Sequence, residues 1–275
     1  MAYGDLDRES AEASRRVFPN HRLRRGVYLL SSAFTVANLL CGYYAIMATL
    51  EGGVADFDSA AIAIGVAWIF DSVDGRVARA TGTESAFGRE FDSLADVISF
   101  GIAPAVLAYA WGVRAMAAAN APEALHLTQL GWVIGFFYLG CCAWRLARFN
   151  IQGMAPGSNR FFAGLPTPAA AGTIAATVHF FKNPISDARF SVLWLVWLVA
   201  LGALMSSTVR HYSFKDIQWT RRRPSLAVIL IAVLFVAVLK FSGPTLLLVS
   251  GIYALHGVVA HFARLLRHRV ASRHA

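Results

Sequence analysis

Apolar residues occur along this chain in long uninterrupted runs separated by short polar stretches. About 20 mostly apolar residues are needed for a helix to cross the ~30 Å hydrocarbon layer of a bilayer. Eight runs approach or exceed that length, at residues 26–50, 57–78, 93–116, 128–148, 162–181, 190–208, 225–241 and 245–264. Since the runs are continuous and do not alternate with polar residues, helices are favoured over a barrel. The pattern predicts an all-α, polytopic membrane helix bundle with about eight transmembrane helices.

The polar stretches suggest three regions. The basic stretch from Lys215 to Pro224 separates a six-helix core, residues 26–215, from a two-helix C-terminal extension with a basic tail, residues 216–275. Residues 1–25 are predicted to be a basic cytoplasmic segment. Its second half mixes arginines with Val17 and Phe18, which is typical of a segment lying on a membrane surface. A disordered positive tail is the alternative for that segment.

Composition and charge agree with a membrane protein and set its orientation. Hydrophobic residues make up 57% of the chain and charged residues 15%, which is more apolar surface than one soluble core can bury. Under the eight-span arrangement, 21 of the 25 Lys and Arg residues fall on the same side as the N-terminus. The positive-inside rule therefore predicts a multi-pass protein of the plasma (inner) membrane with both termini cytoplasmic. Anionic lipid headgroups account for the net charge of +9, so no nucleic-acid partner is expected.

The most distinctive polar feature is a cluster of aspartates within the apolar runs. Asp71 and Asp74 lie three apart at the end of the second run, and Asp92 and Asp96 lie four apart at the start of the third. Each spacing places both carboxylates on one helix face, and the intervening turn folds the two faces together. Each charge at membrane depth costs at least ~3 kcal/mol, so cations must offset them. Carboxylate oxygens suit Mg²⁺ or Mn²⁺, and two such ions are the usual device for in-line displacement at phosphorus.

Helix capping is the structural alternative for these aspartates. It is disfavoured because Asp71 and Asp74 lie near a helix C-terminus, where the helix dipole repels anions.

The aspartates belong to a longer motif that resembles a family signature. The run reads Asp71-x-x-Asp74-Gly75-x-x-Ala78-Arg79, then eight residues, then Gly88-x-x-x-Asp92-x-x-x-Asp96. It resembles the signature of the CDP-alcohol phosphotransferases at every defined position. The resemblance implies two metal ions bound by all four aspartates, with Asp96 also the catalytic general base. It further implies a homodimer, and it implies that a CDP-diacylglycerol donor is contacted by Gly75, Ala78 and Gly88. Arg79 and Asn38 are further candidates for contacting this donor, Arg79 through a phosphate, and helix packing is the alternative role for Asn38. Because the motif lies at the cytoplasmic end of the second run, the site is expected at the cytoplasmic face.

Further segments resemble the phosphatidylserine synthase branch of that family. They lie at residues 38–42, 99–104, 145–150, 164–168 and 204–207, and with the motif the resemblance covers most of 30–216. This branch implies L-serine as the acceptor alcohol. The carboxylate of serine needs a cation, which Arg145 and Arg148, three apart in the fourth run, could supply as a clamp. Anchoring at the cytoplasmic surface is the alternative role for both, and Arg79 is a second candidate for the carboxylate.

Other functions remain open at this point. A sibling enzyme would use glycerol 3-phosphate, inositol or choline as acceptor. A cation transporter also carries intramembrane aspartates, but it usually shows internal repeats and broken helices, and no repeat stands out here. An inactive scaffold is disfavoured because every motif aspartate is present.

Overall fold

The computed structural model describes residues 21–81, 85–117, 124–153, 164–207, 232–233, 236–254 and 256. All of their regular structure is helical, so the all-α prediction is confirmed for this part of the chain. The main helices are α1 (His21–Glu51), α2 (Val54–Thr81), α3 (residues 86–117), α4 (Ala124–Gly153), α5 (Thr167–Phe181), α6 (Ala188–Ser206) and α7 (Ser242–Ala254). Residues 1–20 of the predicted interfacial segment and most of the seventh apolar run lie outside the described residues, whereas residues 21–25 of that segment belong to α1.

Four stretches of the described helices are long and apolar enough to cross a membrane. They are Ser32–Glu51, Ala86–Arg114, Leu125–Ile151 and Ala188–Ser206. Large apolar side chains project outward from them, such as Trp132 and Phe136 on α4, which are 72% and 74% exposed. An outward apolar surface on helices of this length and hydropathy is typical of contact with lipid. The chain is thus a helical membrane protein, and the total of eight spans stays a prediction.

Two other predicted spans, α2 and α5, are not among these four, and both carry residues of the site described below. Helix α2 carries four aspartates, which lower its hydropathy, although it packs extensively against α1. Helix α5 begins at Thr167 and not near 162, so the expected start of the fifth span was wrong by about five residues. The cause is local: Gly164 has φ 91°, and the Leu165 N–H donates to the Leu204 carbonyl at 3.0 Å instead of starting a helix.

Helix α3 runs through the centre of the bundle and contains two wide turns. An α-helical start, Ala86–Asp96, is followed by π-helical turns at Val97–Ile102 and Ala110–Arg114. Wide turns weaken the regular backbone ladder, and in a membrane the carbonyls must find other donors. Side chains from neighbouring helices supply them: Tyr138 Oη donates to the Phe100 carbonyl at 3.2 Å, and Ser191 Oγ donates to the Gly112 carbonyl at 2.8 Å.

Candidate active site

The four motif aspartates come together between α2 and α3. Asp71 and Asp74 lie near the C-terminal end of α2, and Asp92 and Asp96 lie in the first three turns of α3. Carboxylate oxygens of Asp71, Asp74 and Asp92 all lie within 4.8 Å of one another. The Asp96 carboxylate is near enough to the other three for their charges to repel it.

This arrangement depends on a tight connection that ends α2 and starts α3. Ser85 caps α3, because its Oγ accepts a hydrogen bond from the Gly88 N–H at 3.0 Å. A Cβ at position 88 would lie 3.1 Å from that oxygen, so a larger residue would crowd the cap. Gly75 and Ala78 are half-buried on α2, which leaves room beside the aspartates, whereas the Arg79 side chain lies outside the described part of the structure.

Helix α1 supplies neutral hydrogen-bond donors to the two buried carboxylates. Thr35 Oγ1 donates to Asp74 Oδ2 at 2.9 Å, and Asn38 Nδ2 donates to Asp96 Oδ1 at 3.2 Å. Asp74 and Asp96 are only 3% and 8% exposed. Two neutral donors do not cancel the charge of four close carboxylates, so the cluster favours bound cations. Hard divalent ions suit the oxygen-only donor set, and Asp71, Asp74 and Asp92 are close enough to share one.

A second contact fixes α1 against α3 at the same level. Ser99 Oγ, one turn after Asp96, donates to the Asn38 backbone carbonyl at 2.9 Å. Gly42 lets the helices approach, since a Cβ at that position would lie 2.8 Å from Ser99 Cα. Asn38 is therefore bonded to α3 through both its side chain and its backbone.

The predicted acceptor-side arginines differ in their surroundings. Arg145 Nη1 donates to Thr167 Oγ1 at 2.9 Å, and Thr167 is fully buried at the start of α5. The Arg145 guanidinium is also close enough to Asp96 for the two charges to attract. Its Nε is buried and has no hydrogen-bond partner among the described residues. Arg148 is half-buried one turn further along α4.

Some of these partners could not be read from the sequence motif. Thr35 was missed, although its position three residues before Asn38 places both on one face of α1. Thr167 was noted only as part of a segment, and its bond to Arg145 was not foreseen. Asn150, at the end of α4, donates from Nδ2 to Ser93 Oγ at 2.9 Å and so ties α4 to the turn that carries Asp92.

The fold and the site together define a helical membrane protein with an internal carboxylate cluster suited to divalent cations. The family model described as CDP-alcohol phosphatidyltransferase matches residues 28–205, which contain the whole cluster. The chain belongs to this family.

Named relatives agree with that assignment. A Helicobacter pylori protein named CDP-diacylglycerol–serine O-phosphatidyltransferase is 32% identical over 85% of this chain and 91% of its own length. A Mycobacterium leprae protein of the same name is 38% identical over 64% of this chain and 57% of its own length. An archaetidylserine synthase of Methanothermobacter thermautotrophicus is 32% identical over 66% of this chain and 69% of its own length.

Proposed function

We propose that this protein transfers the phosphatidyl group of CDP-diacylglycerol to the hydroxyl of L-serine, giving phosphatidylserine and CMP. The observation that carries the proposal is the aspartate cluster together with a cation, Arg145, that the charge of Asp96 attracts. Phosphoryl transfer needs the carboxylates, and an amino-acid acceptor needs the cation. The names of the relatives from Helicobacter and Mycobacterium state the same donor and acceptor.

The aspartates divide between metal binding and proton transfer. Asp71, Asp74 and Asp92 hold the metal ions, with Asp96 completing the site. Two Mg²⁺ or Mn²⁺ ions, when bound there, supply positive charge to the diphosphate and to the departing CMP oxygen. Gly75, Ala78 and Gly88 leave space for the cytidine and diphosphate, and Arg79 contacts a phosphate.

Asp96 acts as the general base. It accepts the proton of the serine hydroxyl as the hydroxyl oxygen attacks the lipid-bearing phosphorus, and the bond from that phosphorus to the CMP oxygen breaks on the opposite side. The hydrogen bond from Asn38 to one Asp96 oxygen orients this carboxylate. Burial of Asp96 keeps bulk water away from the reacting hydroxyl.

Arg145 binds the serine carboxylate. It is preferred over Arg148 because Thr167 fixes its orientation and because the charge of Asp96 attracts it. Replacing Arg145 with Ala removes a charge-assisted pair, worth roughly ten- to a hundredfold in the serine KM, and leaves the KM for the donor nearly unchanged. Arg148→Ala is the matched control on the same helix. An equal serine KM in both variants and in the wild type would return Arg145 to a surface-anchoring role.

The distribution of basic residues among the loops supports an orientation of the protein in the membrane. We infer eight spans, cytoplasmic termini and an active site open to the cytoplasmic face of the plasma membrane, where CDP-diacylglycerol and serine meet. A homodimer is proposed on the family resemblance alone, and disulfide trapping of single cysteines on the exposed face of α4 tests it.

The decisive experiment is an acceptor panel. Purified protein is incubated with CDP-diacylglycerol, Mn²⁺ or Mg²⁺, and radiolabelled serine, glycerol 3-phosphate, inositol or choline. Of the four acceptors, only serine should give labelled lipid and CMP. Excess chelator should abolish both products. Product from another acceptor would identify a sibling enzyme. Full turnover after rigorous metal removal would sink the proposed role of the aspartates.

A further inference from the structure

Only the nitrogen of the Asn38 side-chain amide has a hydrogen-bond partner among the described residues. Asn38 is fully buried, and its Nδ2 donates to Asp96 Oδ1 at 3.2 Å. Because a carboxylate oxygen accepts hydrogen bonds, the amide nitrogen must be the end that faces Asp96. The Oδ1 end is buried and has no hydrogen-bond partner among the described residues. Buried amide oxygens are nearly always paired, so this one indicates a donor supplied from outside the chain.

An unused donor lies in the same region. The Arg145 guanidinium has a buried Nε with no partner among the described residues, while Thr167 holds its Nη1. Asn38 contacts Asp96 through its hydrogen bond, and the charge of Asp96 also attracts Arg145. The protein thus has an unpaired acceptor on a residue bonded to the proposed base, and an unpaired cationic donor that the same carboxylate attracts.

We propose that Asn38 Oδ1 accepts a hydrogen bond from the α-ammonium group of the acceptor, which makes Asn38 a specificity residue for an amino-acid zwitterion. This rests on the proposed function. The three groups of serine then each meet one partner: the hydroxyl meets Asp96, the carboxylate meets Arg145 and the ammonium meets Asn38. Glycerol 3-phosphate and inositol carry no ammonium, so neither would satisfy Asn38 Oδ1.

This assignment moves Asn38 from the donor side of the site to the acceptor side. From the sequence, Asn38 was a candidate for contacting CDP-diacylglycerol, with helix packing as its alternative role. Thr35 and Asn38 lie one turn apart on α1, yet Thr35 bonds to the metal-site carboxylate of Asp74 and Asn38 bonds to the proposed base. The hydrogen bond from Ser99 to the Asn38 backbone carbonyl holds α1 against α3 at this level.

The test compares acceptors that differ by one group. L-Serine and 3-hydroxypropionate share the hydroxyl and the carboxylate, but only serine has the ammonium. In the intact protein, Asn38→Ala should reduce the preference in kcat/KM for serine over 3-hydroxypropionate by roughly ten- to a hundredfold. Where 3-hydroxypropionate turns over too slowly, its inhibition constant against serine replaces kcat/KM. Looser positioning of Asp96 or a partial loss of fold would lower both acceptors equally and leave the ratio unchanged.

Two control variants separate the contributions. Arg145→Ala should weaken serine and 3-hydroxypropionate together, because both carry the carboxylate, and should leave their ratio near that of the wild type. Asn38→Asp keeps an acceptor oxygen, so it should retain the preference for serine even though a carboxylate beside Asp96 lowers kcat. If Asn38→Ala does not accumulate as folded protein, Asn38→Leu, which is close to Asn in size and carries no acceptor, makes the same comparison.

The outcomes distinguish this inference from the proposed function. A wild-type protein that forms no phosphatidylserine would refute the proposed function itself. An active wild type whose preference for serine over 3-hydroxypropionate is unchanged in Asn38→Ala would overturn the role of Asn38 alone, leaving it as a residue that only positions Asp96.

Discussion

Replacing Thr35 with Val should weaken metal binding without changing the shape of the core. The two side chains have nearly the same volume, so the substitution removes chiefly the hydroxyl that donates to Asp74 Oδ2 at 2.9 Å. Asp74 is 3% exposed, and water cannot easily replace the lost donor. A hydrogen bond to a charged group is worth about 1.5–3 kcal/mol. At 1.4 kcal/mol per factor of ten, the expected loss is roughly ten- to a hundredfold.

The loss should appear in the metal requirement more than in the KM for either substrate. Groups that orient a metal-binding carboxylate typically contribute roughly 10- to 100-fold to metal affinity or activity. The assay is formation of labelled phosphatidylserine at increasing Mn²⁺ concentration, after removal of bound metal. Thr35→Val should raise the Mn²⁺ concentration for half-maximal rate by that factor. Thr35→Ser keeps the hydroxyl, so its Mn²⁺ concentration for half-maximal rate should stay close to the wild-type value.

Thr49 offers a matched control on the same helix. It is also fully buried, but its Oγ1 donates at 2.7 Å to the Ala45 carbonyl within α1 and not to the site. Thr49→Val should therefore leave the Mn²⁺ dependence at the wild-type value. If Thr35→Val and Thr49→Val give the same Mn²⁺ dependence as the wild type, the hydrogen bond to Asp74 has no part in holding metal and the reasoning fails.

Three further predictions follow from other parts of the structure. Asp96→Asn should abolish transfer while CDP-diacylglycerol binding persists, since three carboxylates remain for metal; ordinary turnover would remove the assignment of the base. Cysteine tags at positions 3 and 273 should both react from the cytoplasmic side, and labelling on opposite sides would require an odd number of spans. His179 on α5 bonds to Asp58 on α2 and, at 2.8 Å, to Ser242 on α7. Replacing it with Phe should therefore reduce the free energy of unfolding by about 1–3 kcal/mol and lower the apparent Tm in detergent. An unchanged Tm would show that this link adds no stability.

The sequence was sufficient to predict the helices and the aspartate cluster because both depend on local spacing. Runs of apolar residues define the helices, and a three- or four-residue interval places two side chains on one face. The short connection ending at Ser85 leaves α2 and α3 little choice but to fold back on each other, so Asp71 and Asp92 meet. The same local logic failed at α5, where the positive φ of Gly164 delays the helix until Thr167.

Contacts between distant helices could not be predicted in the same way. The bond from Asn38 to Asp96 joins residues 58 apart, and that from Arg145 to Thr167 joins residues 22 apart. Each depends on the rotation and depth of two helices, which apolar runs do not specify because lipid accepts any apolar face. Asn38 and Arg145 could therefore be predicted only as polar candidates, and the structure supplied a partner for each.

The wide turn that follows Asp96 helps to explain why the proposed base can be held rigidly. The π-helical turn at Val97–Ile102 weakens the backbone ladder, and α4 compensates through the Tyr138 bond to the Phe100 carbonyl. Close packing accompanies it, since a Cβ at Gly101 would lie 3.2 Å from Cys142 Sγ. On the opposite side α1 bonds to Asp96 and Ser99. Hydrogen bonds from two helices thus hold the segment that follows the proposed base. A site preorganised on helices in this way loses little free energy to reorganisation when the acceptor binds.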